Sequence, residues 1–205
     1  MIEELYKLID YIQEEYRKSE ENWLKNENYN KINLKKKCVI DILTNEELMN
    51  LIFNYRAFLK KQDLSFIFDN FPSFRSKVNS RIKTENSTSY KITNYIKNHN
   101  NGKEPIIKCF NDLFGMRIIC IEPLTYEQIK KALANKCPNL LVIDSSKDNG
   151  KYQYKATHIY FKSDNYYFRW ELQVWNECNE QNNIISHKKY KEEYIKWEQE
   201  NKGGV

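Results

Sequence analysis

The sequence predicts an α+β domain, a mixed β-sheet flanked by helices. Three features predict it: a first half with helical apolar spacing, a second half rich in short apolar strands, and a charged helix that closes the chain. With 205 residues, the length suits one compact domain, read as an N-terminal helical segment (1–62) followed by the main domain with its C-terminal helix (63–205). A 40% hydrophobic and 14% aromatic composition is too apolar for a disordered chain.

Leu5, Leu8, Ile9, Ile12 and Tyr16 recur at helical spacing and define the first helix. Asn22 to Lys37 is rich in Asn and Lys and reads as a connector. Thr44 with Glu47 three residues on forms a helix start, and Leu48, Leu51, Ile52, Tyr55, Phe58 and Leu59 follow on one face. Pro72 breaks or begins a helix within Leu64 to Val78. A further helix spans Ser87 to Lys97 and stops in Asn98-His99-Asn100-Asn101-Gly102.

Met116 to Ile121 is a strand, Tyr126 to Ala134 a helix and Leu140 to Ile143 a short strand. His158–Phe161 and Tyr167–Trp175 read as paired strands around Ser163-Asp164-Asn165. On the second of these, Arg169, Glu171, Gln173 and Trp175 share one face, and Phe168, Trp170, Leu172 and Val174 the other. The closing helix runs from about Asn183 to Gln199 and carries His187, Tyr190, Tyr194 and Trp197.

Composition removes several function classes. Five cysteines (Cys38, Cys109, Cys120, Cys137, Cys178) are an odd number without CxxC spacing, which argues for reduced, mostly buried thiols. The five glycines spell neither GxGxxG nor a Walker A loop, so any phosphate must be held by side chains. No apolar run is long enough to span a bilayer, and Met1-Ile-Glu-Glu-Leu-Tyr-Lys lacks a basic region before an apolar core; the expectation is a cytoplasmic protein with no membrane partner. Lys+Arg 33 against Asp+Glu 28 gives a net charge of +5, compatible with a polyphosphate or RNA but not specific for either.

Four local patterns carry chemistry. Arg81 and Lys83 gather positive charge ahead of a helix start, with Ser87 and Lys91 one turn apart beyond it; cations there oppose the helix dipole unless an anion joins them. The plain alternative is a solvated basic face. Asp112 precedes an apolar strand that contains Arg117, and a guanidinium in such a strand calls for an anionic partner, whereas Asp112 alone could cap a turn. Tyr154, in a Lys-rich loop beside Tyr152 and ahead of His158, is read as an exposed ring able to stack on a purine, or as an ordinary strand tyrosine. Glu171 and Gln173 share a face of an aromatic strand, where a carboxylate is costly unless it is paired or holds a cation. Asp112 and Glu171 together could hold one Mg²⁺, and the whole inventory is that of metal-assisted phosphoryl transfer.

In order and spacing, SRIK with Ser87 and Lys91 downstream, DLFGMRIIC, YKATH, ELQVW, and His187 before KKYKEEY resemble the RelA/SpoT-type alarmone synthetase domain in its small single-domain form. The resemblance covers about Phe74 to Tyr194. It implies a nucleotidyltransferase-like synthetase fold and a GTP pyrophosphokinase-type reaction, in which the β,γ-pyrophosphate of ATP passes to the 3′-hydroxyl of GDP or GTP. The products would be (p)ppGpp and AMP.

Carried over by residue, the resemblance implies that Arg81 and Arg117 stack on adenine, and that Lys83, Ser87 and Lys91 hold the ATP phosphates. Asp112 and Glu171 would ligate Mg²⁺, Glu171 also helping to deprotonate the acceptor hydroxyl. Tyr154 would stack on the acceptor base, with His158 and Gln173 arranging acceptor and metal site. Three positions depart from the family pattern: Gln153 stands where a Gly precedes the stacking Tyr, Trp175 where an Arg often follows the strand Gln, and Asn94 where an Arg follows Lys91, with Lys97 as a substitute. These departures bear on the acceptor. The alternative acceptor is the 3′ end of tRNA, used by toxin members of the family that an antitoxin protein neutralises; the lysine runs Lys35-Lys36-Lys37 and Lys60-Lys61 suit RNA. Amphipathic segments at both ends permit homo-oligomerisation. No His-Asp motif of the family's hydrolase domain is present, so synthesis alone is expected.

Overall fold

A computed structural model describes residues 1–62, 64, 72–74, 79–134, 136–137, 139–148 and 153–202, the side chains of 189–191, 193–194, 198 and 200–202 excepted. Its centre is a five-stranded mixed sheet. In spatial order the strands are β1 (Asn79–Ile82), β2 (Phe114–Cys120), β7 (Trp170–Asn176), β6 (Thr157–Phe161) and β3 (Leu141–Asp144). Only the β2–β7 pair is parallel. A separate two-stranded ribbon joins β4 (Lys147–Asp148) to β5 (Gln153–Tyr154). The α+β class and the mixed sheet are as the sequence predicts.

The sheet sorts its side chains by parity, because successive residues of a strand point to opposite faces. Phe114, Met116 and Ile118 of β2, Trp170, Leu172 and Val174 of β7, and Ile159 and Phe161 of β6 enter one hydrophobic core. That core is closed by helices α1 (Ile2–Leu24), α2 (Glu46–Lys61) and α5 (Tyr126–Ala134), through residues such as Leu8, Ile12, Ile52 and Ile129. Residues before and after position 62 therefore share one core. Two polar contacts pin the helices to β7 and its approach: the Trp170 indole donates to the Tyr55 hydroxyl at 3.0 Å, and the Tyr16 hydroxyl donates to the Phe168 carbonyl at 3.3 Å.

Helix α1 runs to Leu24, beyond the predicted start of the connector, because Trp23 continues the buried stripe of Leu5, Leu8, Ile9, Ile12 and Tyr16. The cap of α2 is Asn45 rather than Thr44. Its side chain accepts from Leu48 N–H at 3.1 Å, while Thr44 ends a 3-10 turn over Val39–Leu43, so the Thr44/Glu47 box does not form. Glu47 instead accepts from Asn30. Helix α3 (Glu85–Asn98) is capped by Thr84, and the chain then turns through left-handed Asn100, Asn101 and Gly102. A Cβ at Gly102 would lie 3.1 Å from Ile96 and 3.2 Å from Ile40, so conformation and space both call for glycine.

Within the Leu64–Val78 stretch, only Leu64 and 72–74 are among the described residues; Pro72 stands in a turn and Phe74 bridges to Cys120. The predicted pairing of the late strands forms between β6 and β7, the connection around Ser163–Asn165 extending to Arg169. Short helix α4 (Ile106–Cys109) leads into β2, and α6 (Glu180–Lys202) ends the fold. Buried Asn183 fastens α6 to the entry of β6 by two hydrogen bonds with the Lys155 backbone, at 2.8 and 2.9 Å. All five cysteines are free, with Cys109, Cys120 and Cys137 buried. Among the described residues no helix is long and apolar enough to cross a membrane.

Candidate active site

The second face of the sheet is polar at its centre. Strand register puts Arg81 opposite Gly115, Gly115 opposite Glu171, Arg117 opposite Gln173, Gln173 opposite His158 and Glu171 opposite Tyr160. These residues, with side chains from α3, the β4–β5 ribbon and α6, surround a cavity of about 710 Å³. Arg81, Lys83, Lys91, Asp112, Tyr154, His158, Glu171 and Gln173 line it, so the structure gathers eight of the ten residues singled out in the sequence.

One wall is an ion triad. The Lys83 N–H donates to the Leu113 carbonyl at 2.9 Å, extending the β1–β2 ladder and setting Lys83 beside Asp112. Lys83 Nζ lies 2.7 Å from Asp112 Oδ2, and Lys91 Nζ, two turns into α3, lies 2.8 Å from Asp112 Oδ1. Burial disfavours the Asp112 charge, but Lys91 and Lys83 overcome it and hold the carboxyl well below the usual carboxylate range. Burial likewise works against Lys91, and Asp112 outweighs it, raising the pKa. Burial prevails at Lys83, which also faces Lys91 and Arg81, and its pKa falls. The anion demanded by the cations near the start of α3 is thus Asp112 itself.

The same cavity is lined by Glu171, which is 6% exposed and lies on β7 beside Gly115 of β2, the strand that Asp112 precedes. Glu171 Oε1 accepts from the Tyr160 hydroxyl at 3.0 Å and lies 3.0 Å from His158 Nδ1; its Oε2 accepts from Gln173 Nε2 at 2.9 Å. Burial pushes the Glu171 pKa up, but His158 and Gln173 more than offset it, and the net direction is down. Tyr154 Oη stands 2.9 Å from His158 Nε2. Nδ1 thus faces Glu171 as its donor, and Nε2 faces the Tyr154 hydroxyl. Gln173 Oε1 in turn accepts from Arg117 Nε and Nη2, at 3.2 and 3.1 Å.

Three sequence expectations change here. Tyr154 is buried, at 8% exposure, rather than an exposed platform: its ring meets Trp175 and His187 edge-on, and burial pushes its hydroxyl pKa up to about 12. Tyr152 lies outside the described residues. Arg117 finds an amide and an indole instead of a carboxylate partner, its guanidinium sitting 3.7 Å from the Trp175 ring centre. It stands beside the cavity wall, joined to it through Gln173 and His187. Ser87, half-buried, also lies off that wall; its backbone N–H and hydroxyl are bonded to the Thr84 cap.

Sequence reasoning did not single out Tyr160, although it lies two residues after His158 on the same strand face and is the hydroxyl donor to Glu171. His187, noted only as a closing match, is stacked on Trp175 with centroids 5.5 Å apart. Burial, with Arg117 and Arg81 nearby, pushes its pKa down to about 4.

Among the described residues no three His, Cys, Asp or Glu side chains cluster as a metal site. The donor set on offer is two carboxylates, Asp112 and Glu171, on the wall of one cavity that also carries lysines. That composition fits a hard divalent cation that takes its remaining oxygens from substrate phosphates and water.

Fold and cavity together define an α+β protein whose sheet carries a charged, side-chain-built pocket. No protein-family model matches the sequence, and neither does any curated protein. Solved structures do. The chain is similar to small alarmone synthetase 1 from Bacillus subtilis at 16% identity, over 74% of this chain and 76% of that one, with a TM-score of 0.38. It is similar to small alarmone synthetase 2 from the same organism at 20% identity, over 57% and 64%, with a TM-score of 0.37. A structure of small alarmone synthetase 1 bound to AMPCPP aligns at 18% identity over 70% of each chain, with a TM-score of 0.35.

Proposed function

We propose that the protein transfers the β,γ-pyrophosphate of ATP to the 3′-hydroxyl of a guanine nucleotide, GDP or GTP, making (p)ppGpp and AMP. The observation that carries this reading is one cavity lined both by Asp112, held between Lys83 and Lys91, and by Glu171. Such a site has cations to receive a polyphosphate and carboxylates to receive its counter-cation, and the motifs of the sequence resemble the family that performs this chemistry.

Asp112 and Glu171 would hold Mg²⁺, which when bound supplies electrostatic stabilisation of the charge on the transferring group. The chain's own groups do the rest. Lys83 and Lys91 exchange Asp112 for phosphate oxygens as the donor enters, so no buried charge is left unpaired at any stage. Arg81 and Arg117 extend the positive wall along β1 and β2, and their planar forks suit the adenine face. The Tyr154–His158–Glu171–Gln173 network fixes each member's rotamer and hence the line along which the acceptor hydroxyl meets the β-phosphorus. Glu171, with its pKa held low, is suited to binding a cation and orienting the acceptor rather than to abstracting a proton from the free site.

Incubation with γ-labelled ATP and GDP, GTP or tRNA tests the reading. Label on the guanine nucleotide supports it. Label on the 3′ end of tRNA moves the same chemistry to the toxin branch, with an antitoxin partner. No transfer to any acceptor overturns it.

A further inference from the structure

Trp175 packs with Ile119, Tyr154 and Ala156 in a small cluster of its own, its ring edge-on to Tyr154, and its faces meet two polar side chains of the site. It is 1% exposed, yet its indole Nε1 finds no acceptor in hydrogen-bonding geometry. A buried, unsatisfied donor is a cost, which Phe or Leu at this position would avoid. The indole face is what the position uses. The Arg117 guanidinium lies 3.7 Å from its ring centre, and the His187 ring stacks on it at an interplanar angle of 26°.

The guanidinium is held on three sides. One face rests on Trp175, the Nε–Nη2 edge donates to Gln173 Oε1, and Nη2 lies 3.4 Å from His187 Nε2. Arg117 is nonetheless only half-buried, so these contacts do not enclose it. They do fix a long, rotamer-rich side chain before any ligand arrives, and the ordering cost of binding falls accordingly.

We propose that Trp175 is a positioning residue: its indole holds the Arg117 guanidinium so that it is presented to the flat base of the nucleotide donor. This rests on the reading that the site takes ATP. Trp175 itself touches no substrate and acts through Arg117.

The test is a double-mutant cycle on binding of AMPCPP, with Trp175→Leu, Arg117→Lys and the double variant, each verified as folded by circular dichroism. A lysine neither lies flat on the indole nor bonds Gln173 through a fork. The expected loss for W175L is about tenfold in affinity, in line with a partly desolvated cation–π contact. In the R117K background W175L costs no more than a further twofold, because the residue through which it acts is gone. The side-chain Nε–H resonance of Arg117, protected in the native protein, is expected to broaden by solvent exchange in W175L and to persist in W175F. Should W175L fail to fold, W175F goes through the same cycle with about a threefold loss expected. Native affinity in W175L, or an equal loss in both backgrounds, would overturn the positioning role while leaving the ATP reading intact. Absence of AMPCPP binding by the native protein overturns both.

Discussion

Lys91 Nζ stands 2.8 Å from Asp112 Oδ1, a contact that ties the second turn of α3 to the residue just ahead of β2. With Lys83 on the other carboxylate oxygen, Asp112 pairs with the charges that the proposed substrate needs. Asp112→Asn is therefore expected to abolish most transfer and yet to bind metal-free inorganic triphosphate about tenfold more tightly than the native protein. It should also lose about 2–3 kcal/mol of stability, because two partly buried ammonium groups lose their counter-ion. Calorimetric titration and urea unfolding read the two effects; weaker triphosphate binding in the variant would contradict the exchange.

Glu171→Gln keeps the size of the side chain and removes its charge. The expected result is a loss of transfer of a hundredfold or more, with unfolding stability changed by about 1 kcal/mol. Residual turnover within tenfold of native would remove Glu171 from the reacting site.

Gly115 lies across from Glu171 in the β2–β7 register, and a Cβ there would sit 3.9 Å from Glu171 Oε2 without a clash. Gly115→Ala should fold with native stability or slightly better, since strand glycine is entropically costly by roughly 0.5–1 kcal/mol. It should still lose about tenfold in activity, the methyl group standing beside the carboxylate. Thermal melts alongside transfer assays separate the two.

The His187 pKa, pushed down to about 4, gives a pH dependence of known sign. Between about pH 6.5 and pH 4 the unfolded chain takes up a proton that the folded chain refuses, so stability falls as pH drops through that window. The Asp112 and Glu171 contributions, from pKa values held low, are lost only on further acidification, below their ordinary carboxylate range. His187→Gln should flatten the first decline and leave the second. Proton NMR of the three histidines reads the assignment directly, and a His187 titration near 6.5 would refute it.

Tyr154→Phe removes the hydroxyl that stands against His158 Nε2 while keeping the buried ring. It should reduce acceptor use more than binding of AMPCPP, measured by KM for the acceptor and by direct titration. Equal losses in both would count against a role on the acceptor side. Truncation to Ala would confound the measurement, because emptying a buried aromatic site costs about 3–5 kcal/mol.

The strand carrying Glu171 was readable because its alternation is strict: Trp170, Leu172 and Val174 could only face the core, leaving Glu171, Gln173 and Trp175 together on the far side. Lys83, Lys91 and Asp112 were recognisable as chemistry-bearing, but their mutual pairing across 21 to 29 residues was not, since charge pairing depends on register and helix placement rather than on spacing. Tyr154 misled for a similar reason. Its flanking lysines and glycine describe an exposed loop, whereas α6, docked through Asn183, packs against β5 and buries the ring. The Asn45 cap was hidden because both Thr44 and Asn45 are good caps, and the 3-10 turn that claims Thr44 is set by buried Val39 and Ile42.

β2 and β7 are hydrogen-bonded neighbours, yet five other elements and about fifty residues of chain separate them. While the polypeptide is still being synthesised, β2 has only β1 beside it, and the aspartate has no second carboxylate in its cavity until residue 171 has emerged and docked. Such non-local parallel pairing is slow to form. The cavity lining is therefore complete only when β7 inserts, and on the proposed reading a truncated or stalled product lacking that strand is expected to be inactive.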